Sequence, residues 1–145
     1  MRYNFNDSFG FILVKTGRLI ENRLKINFDK EGLDITPQQW SALTYLWNED
    51  GISQQKLADA FSKDKTSMTR LLNNMEKNQL IERRKDDVDK RNKKIFLTYK
   101  SRLLKKSSIK IAEKTLMDTL IGINHEDLKL SKKVLKKINH NLEQN

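Results

Sequence analysis

The chain has 145 residues, a third of them charged, and a formal net charge of +10. That length suits one domain, or one domain with an added oligomerisation element. The positive excess indicates a polyanionic partner such as nucleic acid or an anionic membrane surface. Because cysteine is absent, disulfides, thiolate metal sites and thiol redox sensing are excluded.

No stretch of the sequence approaches the roughly 20 apolar residues that a membrane span needs. The apolar run FGFILV is short, and Asn6 and Asp7 precede it rather than a basic segment. This argues against a signal peptide. We therefore expect a soluble cytoplasmic protein.

The charge is unevenly distributed along the chain. Residues 1–53 carry six Lys/Arg against seven Asp/Glu, residues 54–99 carry twelve against seven, and residues 100–145 carry eleven against five. The positive charge therefore begins near residue 54, where a helix–strand–loop–strand pattern also begins.

Two helices are predicted before that point. Apolar residues at three- and four-residue steps predict a helix over residues 7–28, with Asp7 as its N-cap. Thr36, Pro37 and Gln39 predict the start of a second helix, as the N-cap, the first helical residue and the closing member of a capping box. Its buried face carries two tryptophans, which are either core anchors or part of a ligand pocket.

A helix-turn-helix follows. Ser53 is expected to cap a short helix over residues 54–61, and Asp64 a second helix over residues 65–78. The second helix has a buried apolar stripe of Met68, Leu71, Leu72 and Met75. Its outward residues are hydroxyl, amide and basic side chains, namely Lys65, Thr66, Ser67, Thr69, Arg70, Asn73, Asn74 and Lys77. Such groups suit base edges and phosphates in a major groove, whereas a solvated face more often carries Glu–Lys pairs.

Two short strands then predict a long hairpin, or wing, with residues 80–84 and 94–98 joined by a charged loop. In that loop Asp89 can hold Arg91, two residues on, at the hairpin tip. A narrow minor groove attracts an inserted arginine because its negative potential is enhanced. Four further cations are predicted to contact phosphates: Arg83, Arg84, Lys90 and Lys93.

Two amphipathic helices are predicted to complete the chain. The first covers residues 98–121, with Leu103, Leu104, Ser107, Ile111, Thr115, Leu116 and Leu120 facing inward. The second covers residues 125–142 after an Asn124 cap, with Leu128, Ser131, Val134, Leu135, Ile138 and Leu142 inward. Together with helix 7–28 they have little to pack on inside a small winged domain. We therefore expect them to be buried against a second copy of the chain, as in a two-fold homodimer.

An ordered set of motifs from Leu57 to Thr98 resembles the core of the MarR family of bacterial transcriptional regulators. The motifs are Leu57-Ala58, Asp64-Lys65-Thr66-Ser67, Thr69-Arg70-Leu71, Leu80-Ile81-Glu82-Arg83, Asp89-Lys90-Arg91 and Leu97-Thr98. The order of the flanking helices also fits. Gln79 departs from the family pattern, since glycine usually follows the recognition helix, and Ser101 stands where a glycine is common. The lack of cysteine removes the family's peroxide-sensing branch.

The resemblance implies a mainly α (α+β) fold, a winged helix-turn-helix over residues 36–98 flanked by dimerisation helices in residues 1–35 and 99–145. It also implies a homodimer that binds double-stranded DNA, most often as a repressor at a palindromic site. The recognition helix would enter the major groove and Arg91 the minor groove. A small effector, aromatic or anionic, would bind between the dimer and DNA-binding regions, where Phe9, Trp40 and Trp47 are the candidate lining.

The sequence also bears on three other functions. For an enzyme or a metal or cofactor protein we find no supporting constellation, because His125 and His140 have no ligand-spaced partner and no glycine loop cradles phosphate. The basic amphipathic segment LKLSKKVLKKINHNL would suit a membrane surface. A winged helix can also bind protein or RNA, but the recognition face predicts no exposed apolar patch, which favours DNA.

Overall fold

The computed structural model describes residues 4–144. Contacts divide the chain into two compact units, one ending at Thr115 and the other beginning at Leu116. The helices are α1 (Phe9–Lys30), α2 (Pro37–Asn48), α3 (Gln54–Ala60), α4 (Lys65–Lys77), α5 (Tyr99–Leu103), α6 (Lys105–Thr119) and α7 (His125–Glu143). The strands are β1 (Ile52–Ser53), β2 (Ile81–Lys85) and β3 (Lys93–Leu97).

Helix α1 starts later than the sequence predicted. Residues 5–7 form one 3-10 turn, and the N-cap is Ser8 rather than Asp7, with its Oγ accepting from the backbone N–H of Phe11 at 3.3 Å. The side chain of Ser8 serves because its backbone is extended at φ −76° and ψ 138°, as an N-cap requires. The helix ends at Lys30, and Gly32, with φ +73°, follows the Glu31 C-cap.

The other predicted caps are confirmed. Thr36 and Gln39 form a reciprocal capping box at the start of α2, each bond being 3.1 Å long. The side chains of Ser53 and Asp64 accept backbone N–H groups at the starts of α3 and α4. Each cap satisfies a backbone donor that the first helical turn leaves unpaired.

The sheet is antiparallel, with strand order β1-β3-β2. The hairpin formed by β2 and β3 is called here the wing base, and residues 86–92 between them the wing tip. Each strand is shifted by one residue from its predicted range, β2 toward the C-terminus and β3 toward the N-terminus. Leu80 is absent from β2 because its N–H closes the end of α4 on Met75 O at 2.9 Å. Thr98 is absent from β3 because it caps α5.

The core lies where α1, α2, α3, α4 and the sheet meet. Its fully buried side chains include Phe28, Leu43, Leu46, Leu57, Met68, Leu72, Met75, Leu80, Ile81 and Ile95. The buried stripe of α4 is confirmed at three of its four positions, and Leu71 is half-buried against the same core. This apolar layer fixes which face of α4 is left to solvent.

The long helix predicted over residues 98–121 is interrupted. Leu104 separates α5 from α6, and α6 ends at Thr119. Thr115 is buried as predicted. Ser107, Leu103 and Leu116 were predicted to face inward and are exposed, and Ser101 and Ser108 are buried instead. Leu104 and Ile111 pack against the core as expected.

Helix α7 has the predicted start, with Asn124 Oδ1 accepting from Asp127 N at 2.8 Å. None of its residues is buried in the single chain. The apolar residues predicted to face inward are half-buried at Leu128 and Ile138, and exposed at Val134, Leu135 and Leu142. In the part of the chain that the structure describes, no helix is both long and apolar enough to cross a bilayer.

Candidate nucleic-acid interface

Helix α4 presents a polar face to solvent. The exposed residues on it are Lys65, Thr66, Ser67, Arg70, Asn73, Asn74 and Lys77. Its start is fixed by Asp64, which accepts Ser67 N at 2.7 Å and Ser67 Oγ at 2.9 Å. The hydrogen bonds from Ser67 hold the pKa of the Asp64 carboxyl below its usual range. The carboxylate is therefore charged at neutral pH, and its negative charge interacts favourably with the positive end of the helix dipole.

The end of α4 is closed by a left-handed residue. Gln79 has φ +60°, and its N–H bonds to Glu76 O at 3.0 Å while Leu80 N bonds to Met75 O at 2.9 Å. This pair of bonds is a Schellman motif, which usually has glycine at the left-handed position. Gln79 therefore adopts the glycine conformation. Thr98 Oγ1 also donates to Gln79 O at 2.7 Å, which ties this turn to the end of β3.

Two hydroxyls that were predicted to contact DNA have partners inside the molecule. Ser67 is engaged by the Asp64 cap. Thr69 is half-buried, and its Oγ1 donates to Lys65 O and accepts from Gln54 Nε2, both at 2.8 Å. Thr69 therefore joins α3 to α4, and Gln54 is a contributor to the site that the sequence analysis missed. The signal was its position beside the Ser53 cap.

Arg83 does not point into solvent as a phosphate contact would. Its side chain is only 12% exposed and lies against α4. Nε and Nη2 donate to the Glu76 carboxylate at 3.2 Å, and Nη2 donates to Asn73 Oδ1 at 2.5 Å. This conformation therefore does not present Arg83 for the predicted phosphate contact. The two-residue alternation of a strand places Arg83 on the same face as the buried Ile81, and that signal was available in the sequence.

Arg84, the next residue, faces the opposite side of the sheet. Its guanidinium lies over the ring of Phe96, 4.4 Å from the centroid, and pairs with Glu82 at 3.1 Å. The side chain is more than half exposed. It is therefore held in a defined place while remaining accessible to an anion.

The wing tip is shaped by two aspartates. Asp86 Oδ1 accepts Val88 N, and Asp89 Oδ1 accepts Arg91 N, each at 3.0 Å. Backbone bonds between Asp86 N and Asn92 O, 2.9 Å, and between Asn92 N and Asp89 O, 3.0 Å, close the loop. These local bonds give the tip its turns without a buried core.

Arg91 stands at the tip with its side chain 96% exposed. Asp89 acts on it through the backbone bond, since the distance from Arg91 Nε to Asp89 Oδ1 is 3.9 Å, at the limit of an ion pair. The prediction that Asp89 positions Arg91 thus agrees with the backbone geometry. Lys90 and Lys93 are also exposed, on either side of Arg91.

The three aromatic residues predicted to line a ligand pocket do not all meet in one chain. Trp40 packs on Phe28, with ring centroids 6.1 Å apart. Phe9 lies on the same helix as Phe28 but about 28 Å along its axis, at 1.5 Å per residue, and it is 58% exposed. Phe9 and Trp40 therefore do not meet within one chain, and a ligand pocket that both of them line stays a prediction. Trp47 is half-buried, and its Nε1 donates to Ser101 O at 3.2 Å.

Comparison with known proteins bears on this arrangement. A family model described as the MarR family matches residues 35–93, from just before α2 to the start of β3. The organic hydroperoxide resistance transcriptional regulator of Bacillus subtilis (strain 168) is 31% identical over 128 residues, 86% of this chain and 82% of that protein. The chain belongs to the MarR family. The resemblance predicted from the motifs is confirmed, and this MarR-family chain is a DNA-binding transcription regulator.

Solved structures confirm the predicted winged-helix fold. The structure of Bordetella bronchiseptica BpsR, described for the regulation of its DNA binding by 6-hydroxynicotinic acid, has a TM-score of 0.85 at 19% identity and covers 96% of this chain and 98% of that one. The MepR–DNA complex of S. aureus has a TM-score of 0.83 at 24% identity, covering 92% and 98%. This MarR-family chain differs in chemistry from any thiol sensor because it contains no cysteine.

Proposed function

We propose that this protein is a homodimeric repressor that binds a palindromic DNA site and releases it when a small aromatic or anionic effector binds. The observation that carries the proposal is the pairing of two exposed elements in one unit, the polar face of α4 and the Arg91-bearing wing tip. An α-helix fits the major groove, and an arginine suits a narrow minor groove.

The polar residues of the interface fall into three proposed roles. Arg70 and Asn73, in the middle of α4, are the proposed base-reading residues, with Thr66 beside them. The remaining exposed groups are proposed to position the DNA backbone, namely Lys65, Lys77, Arg84, Lys90 and Lys93. The engaged residues Ser67, Thr69, Arg83 and Asp89 are proposed to hold the reading residues in place rather than to contact phosphate.

Dimerisation is supported by apolar side chains that the single chain leaves exposed. On α1 they include Phe9, Ile12, Leu13, Val14 and Leu19. On α7 they include Leu130, Val134, Leu135 and Leu142. Exposed apolar surface of this kind marks an interaction site. We propose that residues 1–35 and 99–145 form the interface between two copies, and that residues 36–98 bind DNA.

Effector binding is supported by Trp40. Its indole N–H is buried and donates to no described atom. A buried donor without a partner is costly, and a carboxylate or carbonyl of an effector would satisfy it. Such a ligand lowers DNA affinity only if it binds the DNA-incompetent arrangement more tightly than the competent one. Phe9 could take part only through a partner's copy.

Selection of bound duplexes from a random DNA pool tests the proposal. We expect two inverted half-sites separated by about one helical turn, as a two-fold dimer requires. Sedimentation equilibrium should give twice the chain mass. A single half-site with a monomer mass would contradict the dimer, and equally tight binding to anionic vesicles would favour the membrane-surface function.

Lys77 tests the distinction between residues that read the base sequence and residues that contact the DNA backbone. Lys77→Ala should weaken binding to all duplexes about equally, and should reduce the slope of log affinity against log salt by roughly one unit. Affinity measured at several salt concentrations checks this. A loss confined to one base position would show that Lys77 reads sequence.

A further inference from the structure

The side-chain cluster of Asn73, Glu76 and Arg83 joins the recognition helix to the wing base. Arg83 is the centre, and it makes hydrogen bonds to both other residues. Its backbone N–H also donates to Glu76 Oε2 at 3.2 Å. The cluster therefore links the strand β2 to the exposed face of α4 through both side chain and backbone.

Glu76 fixes the guanidinium in this position. The hydrogen bonds from Arg83 hold the pKa of the Glu76 carboxyl below its usual range, so Glu76 is charged at neutral pH. Two of the guanidinium nitrogens face this carboxylate. Such a two-point contact restricts the orientation of the guanidinium plane, and with it the direction of the N–H that reaches Asn73.

That contact decides which end of the Asn73 amide faces outward. Arginine has donors and no acceptor, so the Asn73 atom that lies 2.5 Å from Nη2 must be the carbonyl oxygen. The amide nitrogen, on the other branch of the same group, is directed away from Arg83. Asn73 is exposed, so its NH₂ group is the part left for an external partner.

This orientation changes what Asn73 can read. An unrestrained asparagine recognises adenine with two bonds, donating to N7 and accepting from the N6 amino group. An oxygen turned back toward Arg83 cannot face the same base edge as the nitrogen. Guanine shows two adjacent acceptors, N7 and O6, and thymine shows O4. These keto edges suit a group that only donates, whereas adenine offers it N7 alone, beside an amino donor that it cannot pair with.

We propose that Arg83, held by Glu76, sets Asn73 as a donor-only reading residue, so that the base it contacts is guanine or thymine rather than adenine. Arg83 and Glu76 are positioning residues in this proposal and make no contact with a base. The inference rests on the proposed function, because it requires α4 to lie in a major groove.

The test compares the sequences selected from a random duplex pool by the full-length protein and four variants. The wild type should select guanine or thymine over adenine by roughly tenfold or more at one position of each half-site. Asn73→Ala should lose the preference at that position and keep the others. Arg83→Met should gain adenine there, because the amide oxygen is released.

Two further variants separate orientation from general loss of structure. Arg83→Lys keeps a donor for Asn73 Oδ1 and should retain the keto preference. Glu76→Gln loosens the guanidinium and should shift the preference part of the way to adenine. Thermal unfolding of each variant shows whether it is folded, and a folded Glu76→Gln suffices if Arg83→Met unfolds.

The outcomes are distinct. Adenine selected by the wild type at the position that Asn73→Ala affects would overturn this inference and leave the proposed function standing. The same keto preference in folded Arg83→Met and Glu76→Gln would also overturn it. If the wild type selects no sequence at all, the proposed function fails, and the inference fails with it.

Discussion

The wing base and the wing tip are held by different kinds of interaction. The base pairs β2 with β3 through five residue pairs, from Ile81–Leu97 to Lys85–Lys93, and its Ile95 is fully buried. The tip lies in solvent and is shaped by hydrogen bonds within its own seven residues, 86–92. The base depends on the rest of the fold, whereas the tip is determined locally.

The difference separates two tasks. The base places Arg83 against α4, which fixes the orientation of a proposed reading residue. The tip gives Arg91 a defined backbone and leaves its side chain in solvent. A substitution in the base should therefore act through stability and geometry, and one in the tip through direct loss of a contact.

The largest expected effect is on stability in the base. Ile95→Ala should lower the free energy of unfolding by about 2–5 kcal/mol, because it removes a buried side chain and leaves a cavity. Val88→Ala is the matched change at the tip, where the side chain is 95% exposed, and should stay within about 0.5 kcal/mol. Urea unfolding measures both. Similar losses for the two would show that the tip is packed in solution.

The next effect is on DNA affinity at the tip. Arg91→Ala should weaken binding to the selected operator by on the order of 1–3 kcal/mol, with the unfolding midpoint unchanged, because the Arg91 side chain is 96% exposed. Fluorescence anisotropy with a labelled operator gives the affinity. Wild-type affinity in this variant would remove the tip from the proposed interface.

A smaller and stabilising effect is expected where α4 leads into the base. Gln79→Gly should raise the free energy of unfolding by about 0.5–1 kcal/mol, because glycine adopts φ +60° without the side-chain clash that an L-residue meets there. Gly32→Gln is the reverse change at a similar helix end, with φ +73° and open space for a side chain. It should destabilise, and thermal unfolding of the pair decides whether backbone strain is the cause.

The smallest effect is the acid response of α4, at its N-cap and at its contact with the wing base. The pKa values of Asp64 and Glu76 lie below their usual range, so both carboxyls contribute stability above about pH 4, and that contribution is lost as the pH falls through their folded pKa values. Glu76→Gln should flatten this part of the profile. Chemical unfolding at pH 7, 5, 4 and 3 provides the measurement, and an unchanged profile in Glu76→Gln would rule out its contribution.

The sequence predicts features that depend on local hydrogen bonds better than features that depend on tertiary packing. The caps at Thr36, Ser53 and Asp64 were predicted correctly because each depends on residues within one turn. The Asp89–Arg91 turn was predicted for the same reason. Such hydrogen bonds join residues that are close in sequence, so the sequence alone indicates them.

Arrangements that need tertiary packing were less well predicted. Arg83 and Glu76 are seven residues apart on different elements, and only the packing of β2 against α4 brings them together. Leu104 was predicted as one more inward residue of a long helix, yet the helix is interrupted there, between α5 and α6. Phe9 was grouped with Trp40 as lining of one pocket, yet it is Phe28, near the other end of α1, that packs on Trp40.

The exposure of Arg91 has a thermodynamic consequence. A side chain that is free in solution has its full set of rotamers, and an arginine that becomes fixed in a groove loses up to about 2 kcal/mol of that conformational entropy. The backbone beneath it is already ordered by the Asp89 turn, so this part of the chain contributes no further ordering cost. The net gain from Arg91 is therefore reduced by side-chain entropy but not by ordering of this turn, and the entropic cost grows as the temperature rises.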